Sequence, residues 1–124
     1  MKHYSKQREA LLEVLRSTDT HPTANWIYEK VREKIPNISL GTVYRNLSAL
    51  TADGTVLKVD VGDGFEHFDG DISPHLHLYC KKCEKIFDQR LKTDYIKNIA
   101  KDSGFKTDKT VYVAYGICQN CNKN

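Results

Sequence analysis

The chain has 124 residues, 40% hydrophobic and 28% charged, with a formal net charge of +3. That length suits one ordinary domain or two small ones, and the balance is that of a globular protein. No apolar run approaches the roughly 20 residues needed to span a bilayer, so a membrane-spanning helix is excluded. The N-terminal stretch MKHYSKQREALLEVLR is polar and then amphipathic, without an apolar signal core, so a soluble cytoplasmic protein is expected. Charge position says more than the total. Between Lys2 and Arg45 there are eight Lys or Arg against five Asp or Glu, while residues 46–124 carry eleven of each. A nucleic-acid-binding front part has this distribution, and so does a solvated helical surface.

Residues 5–17 place Leu11, Val14 and Leu15 on one helical stripe, with Ser5 as the N-cap. Thr23 caps a second helix over residues 23–35, with Ile27, Val31 and Ile35 recurring every four residues, and Pro36-Asn37 ends it. Ser39 caps a third, with Leu40, Val43, Leu47 and Leu50 inward and Asp53-Gly54 as the stop. Residues 55–69 then alternate with period two, with Leu57, Val59 and Val61 on one side and Gly62-Asp63-Gly64 as a hairpin turn. Three short helices followed by a hairpin read as a winged helix-turn-helix, whose third helix enters the major groove. Its outward side, Ser39, Gly41, Thr42, Tyr44, Arg45 and Ser48, offers small groups, hydroxyls and one guanidinium for phosphates and bases. A polar solvent-facing helix is the alternative.

Residues 70–74 form a linker. The expected elements beyond it are a strand at 75–79, a CxxC turn and a strand near 85–90. A helix capped by Thr93 follows, with Ile96, Ile99 and Ala100 inward and Ser103-Gly104 at its end. A last strand covers 109–117. The fold class is therefore α+β, with a winged-helix domain at 1–69 and an α/β domain at 75–124. The last strand offers an edge that can pair with a second copy, or it can sit inside one sheet.

The four cysteines form two CxxC pairs, Cys80/Cys83 and Cys118/Cys121, separated by 34 residues. Two short turns that each aim two sulfurs at one ion complete a tetrahedral structural zinc site, one per chain; redox dithiols or disulfides are the alternative. His75 and His77, two apart on a strand, point the same way, and Cys80 has the opposite parity. The histidines thus tend to diverge from the thiolates, which already number four. His21, Asp69, His75, His77 and Asp88 would make an all nitrogen and oxygen site, suited to Fe(II), Mn(II), Co(II) or Zn(II). Spacing alone does not select His21 or Asp69, and His67 is an equal candidate by that test.

His21-Pro22-Thr23-Ala24, Gly41-Thr42-Val43-Tyr44-Arg45-Asn46-Leu47, Phe68-Asp69, His75-Leu76-His77, Cys80-x-x-Cys83 and Cys118-x-x-Cys121 occur in this order over nearly the whole chain. Together they resemble the ferric-uptake-regulator family of dimeric metal-dependent repressors. Within it the chain looks most like the peroxide-sensing branch, which has three histidines and two aspartates at its regulatory site. Asp88 is the informative ligand, since iron-uptake sensors usually carry glutamate there. Zinc-sensing members often use a cysteine in that site, and all four cysteines here are committed elsewhere. The Pro74-His75-Leu76-His77 segment also lacks the interleaved His and Asp of many iron sensors.

The resemblance implies a homodimer that binds a palindromic operator in double-stranded DNA, with a dimerising C-terminal domain and no membrane partner. Fe2+ or Mn2+ at His21, Asp69, His75, His77 and Asp88, one per chain, acts as corepressor. With iron bound, peroxide oxidises a ligand histidine, His21 or His75, and repression is lost; this is sensing, not enzymatic turnover. Many members carry a further N-terminal helix ahead of the segment matching Ser5-Lys6-Gln7-Arg8, and its absence is expected to lower DNA affinity or alter spacing. Competing readings are an iron or manganese homeostasis repressor with little peroxide response, a non-haem iron enzyme, and a zinc-stapled interaction module.

Overall fold

The structure is a computed structural model that describes residues 2–108 and 110–123. The chain divides into two compact units between Ile72 and Ser73. The fold mixes helices and sheets in each unit, and no helix among the described residues is long and apolar enough to cross a membrane.

The first unit contains α1 (Lys2–Arg16), α2 (Ala24–Val31), α3 (Leu40–Ala52) and an antiparallel hairpin of β1 (Leu57–Val59) and β2 (His67–Asp69). Its core follows the apolar spacing of the helices: Leu11, Val14 and Leu15 from α1, Ile27 and Val31 from α2, and Val43, Leu47 and Leu50 from α3. Val56 and Phe68 close it from the hairpin side. Each such side chain contributes about 1.5–3 kcal/mol through removal from water. Thr23 and Ser39 cap as their sequence positions require. The Thr23 hydroxyl accepts from the Trp26 backbone N–H, and that of Ser39 from Thr42 N–H.

Three local expectations for this unit are corrected. The first helix starts at Lys2, so Ser5 lies within it and is not its cap. The second ends at Val31, one turn before Pro36. There Glu33 and Lys34 donate to carbonyls three residues back, because Pro36 disfavours helical backbone at Ile35 and the last turn tightens. The hairpin loop spans residues 60–66 rather than Gly62-Asp63-Gly64 alone. It is held by two Asx turns, in which Asp60 accepts from Gly62 N–H and Asp63 from Phe65 N–H. Gly62 and Gly64 take the left-handed backbone this loop needs, and Val61 is buried outside the strand.

Among the described residues, the second unit is a three-stranded sheet in the order β4-β3-β5, with one helix. β3 (His75–Cys80) runs antiparallel to β4 (Ile86–Arg90) and parallel to β5 (Tyr112–Gly116). The helix α4 (Tyr95–Asp102) is capped by Asp94, which accepts from Lys97 N–H, and not by Thr93. Tyr112 ties this cap to the sheet: its hydroxyl donates to Asp94 and accepts from Ile96 N–H. The inward placement expected for Ile96 and Ile99 fails, since they are 48% and 67% exposed. Helical periodicity reports an apolar face, and it does not say whether the covering layer belongs to the same chain. The last strand begins at Tyr112 rather than at 109; Lys109 lies outside the described residues.

Candidate metal centres and helical recognition face

The four thiols are brought together by two chain turns of the second unit. Their sulfur atoms all lie within 4.8 Å of one another, and none is in a disulfide. β3 persists through Cys80, which is buried, and the turn at 81–85 doubles back with Cys80 N–H donating to Lys85 carbonyl and Glu84 N–H to Cys80 carbonyl. Glu84 adopts a left-handed φ of 64° to make that reversal. The parallel strand β5 delivers the second pair, with Lys81 N–H bonded to Gly116 carbonyl.

Backbone amides then converge on Cys80 Sγ, from Cys83 at 3.4 Å and Cys118 at 3.3 Å. These donors stabilise the thiolate and hold Cys80 down to about 6. Cys121 behaves oppositely. A hydrogen bond with Cys118, together with burial, pushes it up to about 12, as expected for the last proton of a crowded thiol cluster. Cys83 and Cys118 sulfurs stand 3.8 Å apart. That separation matches the edge of about 3.8 Å in a sulfur tetrahedron built on zinc–sulfur bonds of about 2.3 Å. The donor set therefore fits a closed, structural zinc.

The remaining donors fall into two groups, one in each unit. In the first unit, His21 and Asp69 are both buried, and His21 Nε2 lies 3.2 Å from the Asp69 carboxylate. Two segments meet here. Residues 21–22 run beside β2, with Phe68 N–H donating to Pro22 carbonyl at 2.9 Å. His21 has a left-handed φ of 56°, a conformation that costs a non-glycine residue on the order of 1 kcal/mol.

In the second unit, His75 and His77 project from the same face of β3, with ring centroids 4.3 Å apart. Asp88 is the cross-strand partner of His77 in β4. Its carboxylate stands 3.4 Å from His75 Nε2 and 3.9 Å from His77 Nε2. Each ring is oriented through its other nitrogen. His75 Nδ1–H donates to Ser73 carbonyl at 2.8 Å and His77 Nδ1–H to Tyr112 carbonyl at 3.2 Å. This turns Nε2 of both rings toward the carboxylate, the arrangement by which a backbone carbonyl fixes the tautomer of a metal-binding histidine. Imidazole and carboxylate donors without sulfur suit Fe(II), Mn(II), Co(II) or Zn(II).

His67, the equal candidate by spacing, is differently employed. Its Nδ1 bonds His21 carbonyl at 2.8 Å and its Nε2 bonds Asp63 at 2.7 Å. Sequence reasoning missed this role, as it did the carbonyls of Ser73 and Tyr112. The one available signal was that His67 shares a strand face with Asp69.

On α3, Ser39, Gly41, Tyr44, Arg45 and Ser48 are exposed and Thr42 is half-buried, while Val43, Leu47 and Leu50 point into the core. Ser39, Thr42 and Arg45 form a hydrogen-bonded row along that face, with Arg45 donating to the Thr42 hydroxyl at 2.9 Å.

A mixed helix-and-sheet protein with two clusters of metal-ligating side chains is the class that this fold and these donor sets define. The chain belongs to the ferric uptake regulator family, whose profile matches residues 2–115. It is 39% identical over 119 residues to the peroxide operon regulator of Bacillus subtilis, covering 94% of this chain and 82% of that one. It is 35% identical over 117 residues to the peroxide-responsive repressor PerR of Staphylococcus epidermidis, covering 93% and 78%. Among solved structures it is similar to the Campylobacter jejuni peroxide stress regulator, with a TM-score of 0.83, 29% identity, and coverage of 96% of this chain and 91% of that one.

Proposed function

We propose that the chain is a peroxide-responsive, metal-dependent repressor that binds a palindromic operator as a homodimer in the cytoplasm. The observation that carries this reading is the paired set of imidazole–carboxylate groups, His21 with Asp69 and buried His75 and His77 with the more exposed Asp88. Five nitrogen and oxygen donors drawn from both units would hold one Fe(II) or Mn(II). The first unit acts as a winged helix-turn-helix, with α3 in the major groove and the β1–β2 hairpin as the wing. Ser39, Gly41, Thr42, Tyr44, Arg45 and Ser48 form its DNA-facing side. The second unit serves as the dimerisation domain. Its α4 leaves Tyr95, Ile96 and Ile99 exposed in the single chain, which is the surface a second copy would cover.

The residues divide the work. Cys80, Cys83, Cys118 and Cys121 hold a structural zinc and staple the end of β3 to the end of β5. His75, His77 and Asp88 present a pre-oriented face whose rings cannot turn without breaking bonds to Ser73 and Tyr112 carbonyls. His21 and Asp69 present the other donors at the base of the wing. Joining the two sets favours one arrangement of the DNA-binding units over the others, which is what a corepressor does. These residues would hold iron whose one-electron reduction of peroxide, cleaving its O–O bond, would supply an oxidant beside the ligand histidines. Oxidation of His21 or His75 removes a nitrogen lone pair from the set and releases the arrangement. The short carboxylate of Asp88 and the peroxide-responsive names of the relatives support this branch over a homeostasis repressor with little peroxide response.

Fluorescence anisotropy with palindromic operator DNA tests the reading. Binding that requires Mn(II) or Fe(II), persists with peroxide for Mn(II), and is lost with peroxide for Fe(II) is the expected outcome. Binding unaffected by metal overturns it.

A further inference from the structure

We propose that His67 is the positioning residue of the regulatory centre, holding His21 in the backbone conformation that aims its imidazole at Asp69. The inference rests on the reading of His21 as a metal ligand, and it concerns what sets that ligand in place. His67 Nδ1 lies 2.8 Å from His21 carbonyl oxygen, and Nε2 lies 2.7 Å from Asp63 carboxylate. Both ring nitrogens thus face an oxygen partner of the first unit at hydrogen-bond distance, and neither is open to a metal. His67 is thereby excluded from the ligand set and assigned a different task.

Three successive residues of β2 grip two residues of the preceding loop. His67 holds the His21 carbonyl, Phe68 N–H holds the Pro22 carbonyl at 2.9 Å, and Asp69 meets the His21 ring at 3.2 Å. His67 and Asp69 share a strand face, and Phe68 turns its ring into the core. The carbonyl direction of His21 is set by its own ψ, and its φ of 56° lies in a region an L residue leaves readily when unrestrained. Releasing the carbonyl releases the ring. Asp63 anchors the other end. It is itself fixed by Phe65 N–H at 3.0 Å, so the wing loop, through His67, sets the geometry of a ligand 46 residues earlier in the chain.

The test is Mn(II) titration of the zinc-loaded full chain, followed by the electron paramagnetic resonance signal of free Mn(II). Asparagine places an amide N–H near the position of Nδ1, and glutamine places one near Nε2. His67→Ala is expected to weaken Mn(II) binding by roughly 10–100-fold, the usual effect of removing a group that orients a metal ligand. His67→Asn should recover most of that loss, and His67→Gln should not. Zinc content should stay at the wild-type level in all three. Mn(II) affinity of His67→Ala equal to wild type overturns the proposal, and so do Asn and Gln variants that bind alike, since mere support of the hairpin would not distinguish them. If His67→Ala does not fold, the Asn and Gln pair decides. His77→Ala serves as the control for the underlying reading. Should it bind Mn(II) as wild type does, the regulatory site itself is misassigned. Should it lose Mn(II) while the His67 variants keep it, the positioning role alone falls.

Discussion

The two donor sets differ in how much of the chain each needs. The thiolates come from one unit, from the ends of adjacent parallel strands, and they close a full tetrahedral set among themselves. The imidazoles and carboxylates fall into two groups, His21 and Asp69 in the first unit and His75, His77 and Asp88 in the second. A closed set inside one unit adds its binding free energy to the folding of that unit. A set shared by two units favours a particular arrangement of them, and its binding energy becomes coupling. On the proposed reading, the same chain would use metal binding for stability in one place and for regulation in another, and the distribution of ligands along the sequence separates the two.

The sharpest way to break this comparison is at the thiolates. Cys83→Ser should abolish zinc retention, remove most of the roughly 10 kcal/mol or more that a structural zinc contributes, and unfold the second unit. Elemental analysis with circular dichroism checks it; a folded, zinc-free variant would make the cluster dispensable. At the other set, His77→Ala should keep its zinc and lose Mn(II) affinity by about 100-fold or more, because a direct ligand outweighs the 10–100-fold typical of an orienting group. Calorimetric titration reads the affinity, and zinc loss in this variant would show that the two sets are not separate.

A smaller effect is expected at the helix that would read the operator. Arg45→Ala should cost about 1–3 kcal/mol of operator binding, with metal content unchanged. Anisotropy titration at two salt concentrations tells whether the lost contact was to a phosphate or to a base. The smallest effect belongs to the α3 terminus. Hydrogen bonds from Thr55, with help from Arg8, hold the Asp53 carboxyl below its ordinary value of 3.8. A depressed folded value means that the contribution is complete above pH 3.8 and is lost as pH falls through the lower, folded value. Asp53→Asn should therefore lower the melting temperature slightly at neutral pH and converge with wild type in acid.

Much of the first unit was legible because its local signals agree. Thr23 and Ser39 each precede an apolar stripe at helical spacing, and each caps as expected. Ser5 misled because a helix can run through a good capping residue when the preceding chain is also helical. Ile96 and Ile99 misled for a different reason: their periodicity was real, and no layer of the described residues covers them. At the candidate site, strand parity placed His75 and His77 together, and register placed Asp88 opposite His77. Parity could not reveal that His67 turns to the His21 carbonyl, because it gives the face of a side chain and not its partner. Nor does any local signal announce the left-handed backbone of His21, which depends on the hairpin arriving 46 residues later.

The central claim is tested most directly by metal content and intact mass of protein reconstituted anaerobically with Fe(II), before and after one equivalent of peroxide. The account predicts one zinc and one Fe(II) per chain, then a gain of one oxygen atom in the peptide containing His21 or His75, with loss of operator binding. Two bound metals with no oxidation of either peptide would contradict it, leaving a metal-homeostasis repressor in which Asp88 lacks the meaning given to it.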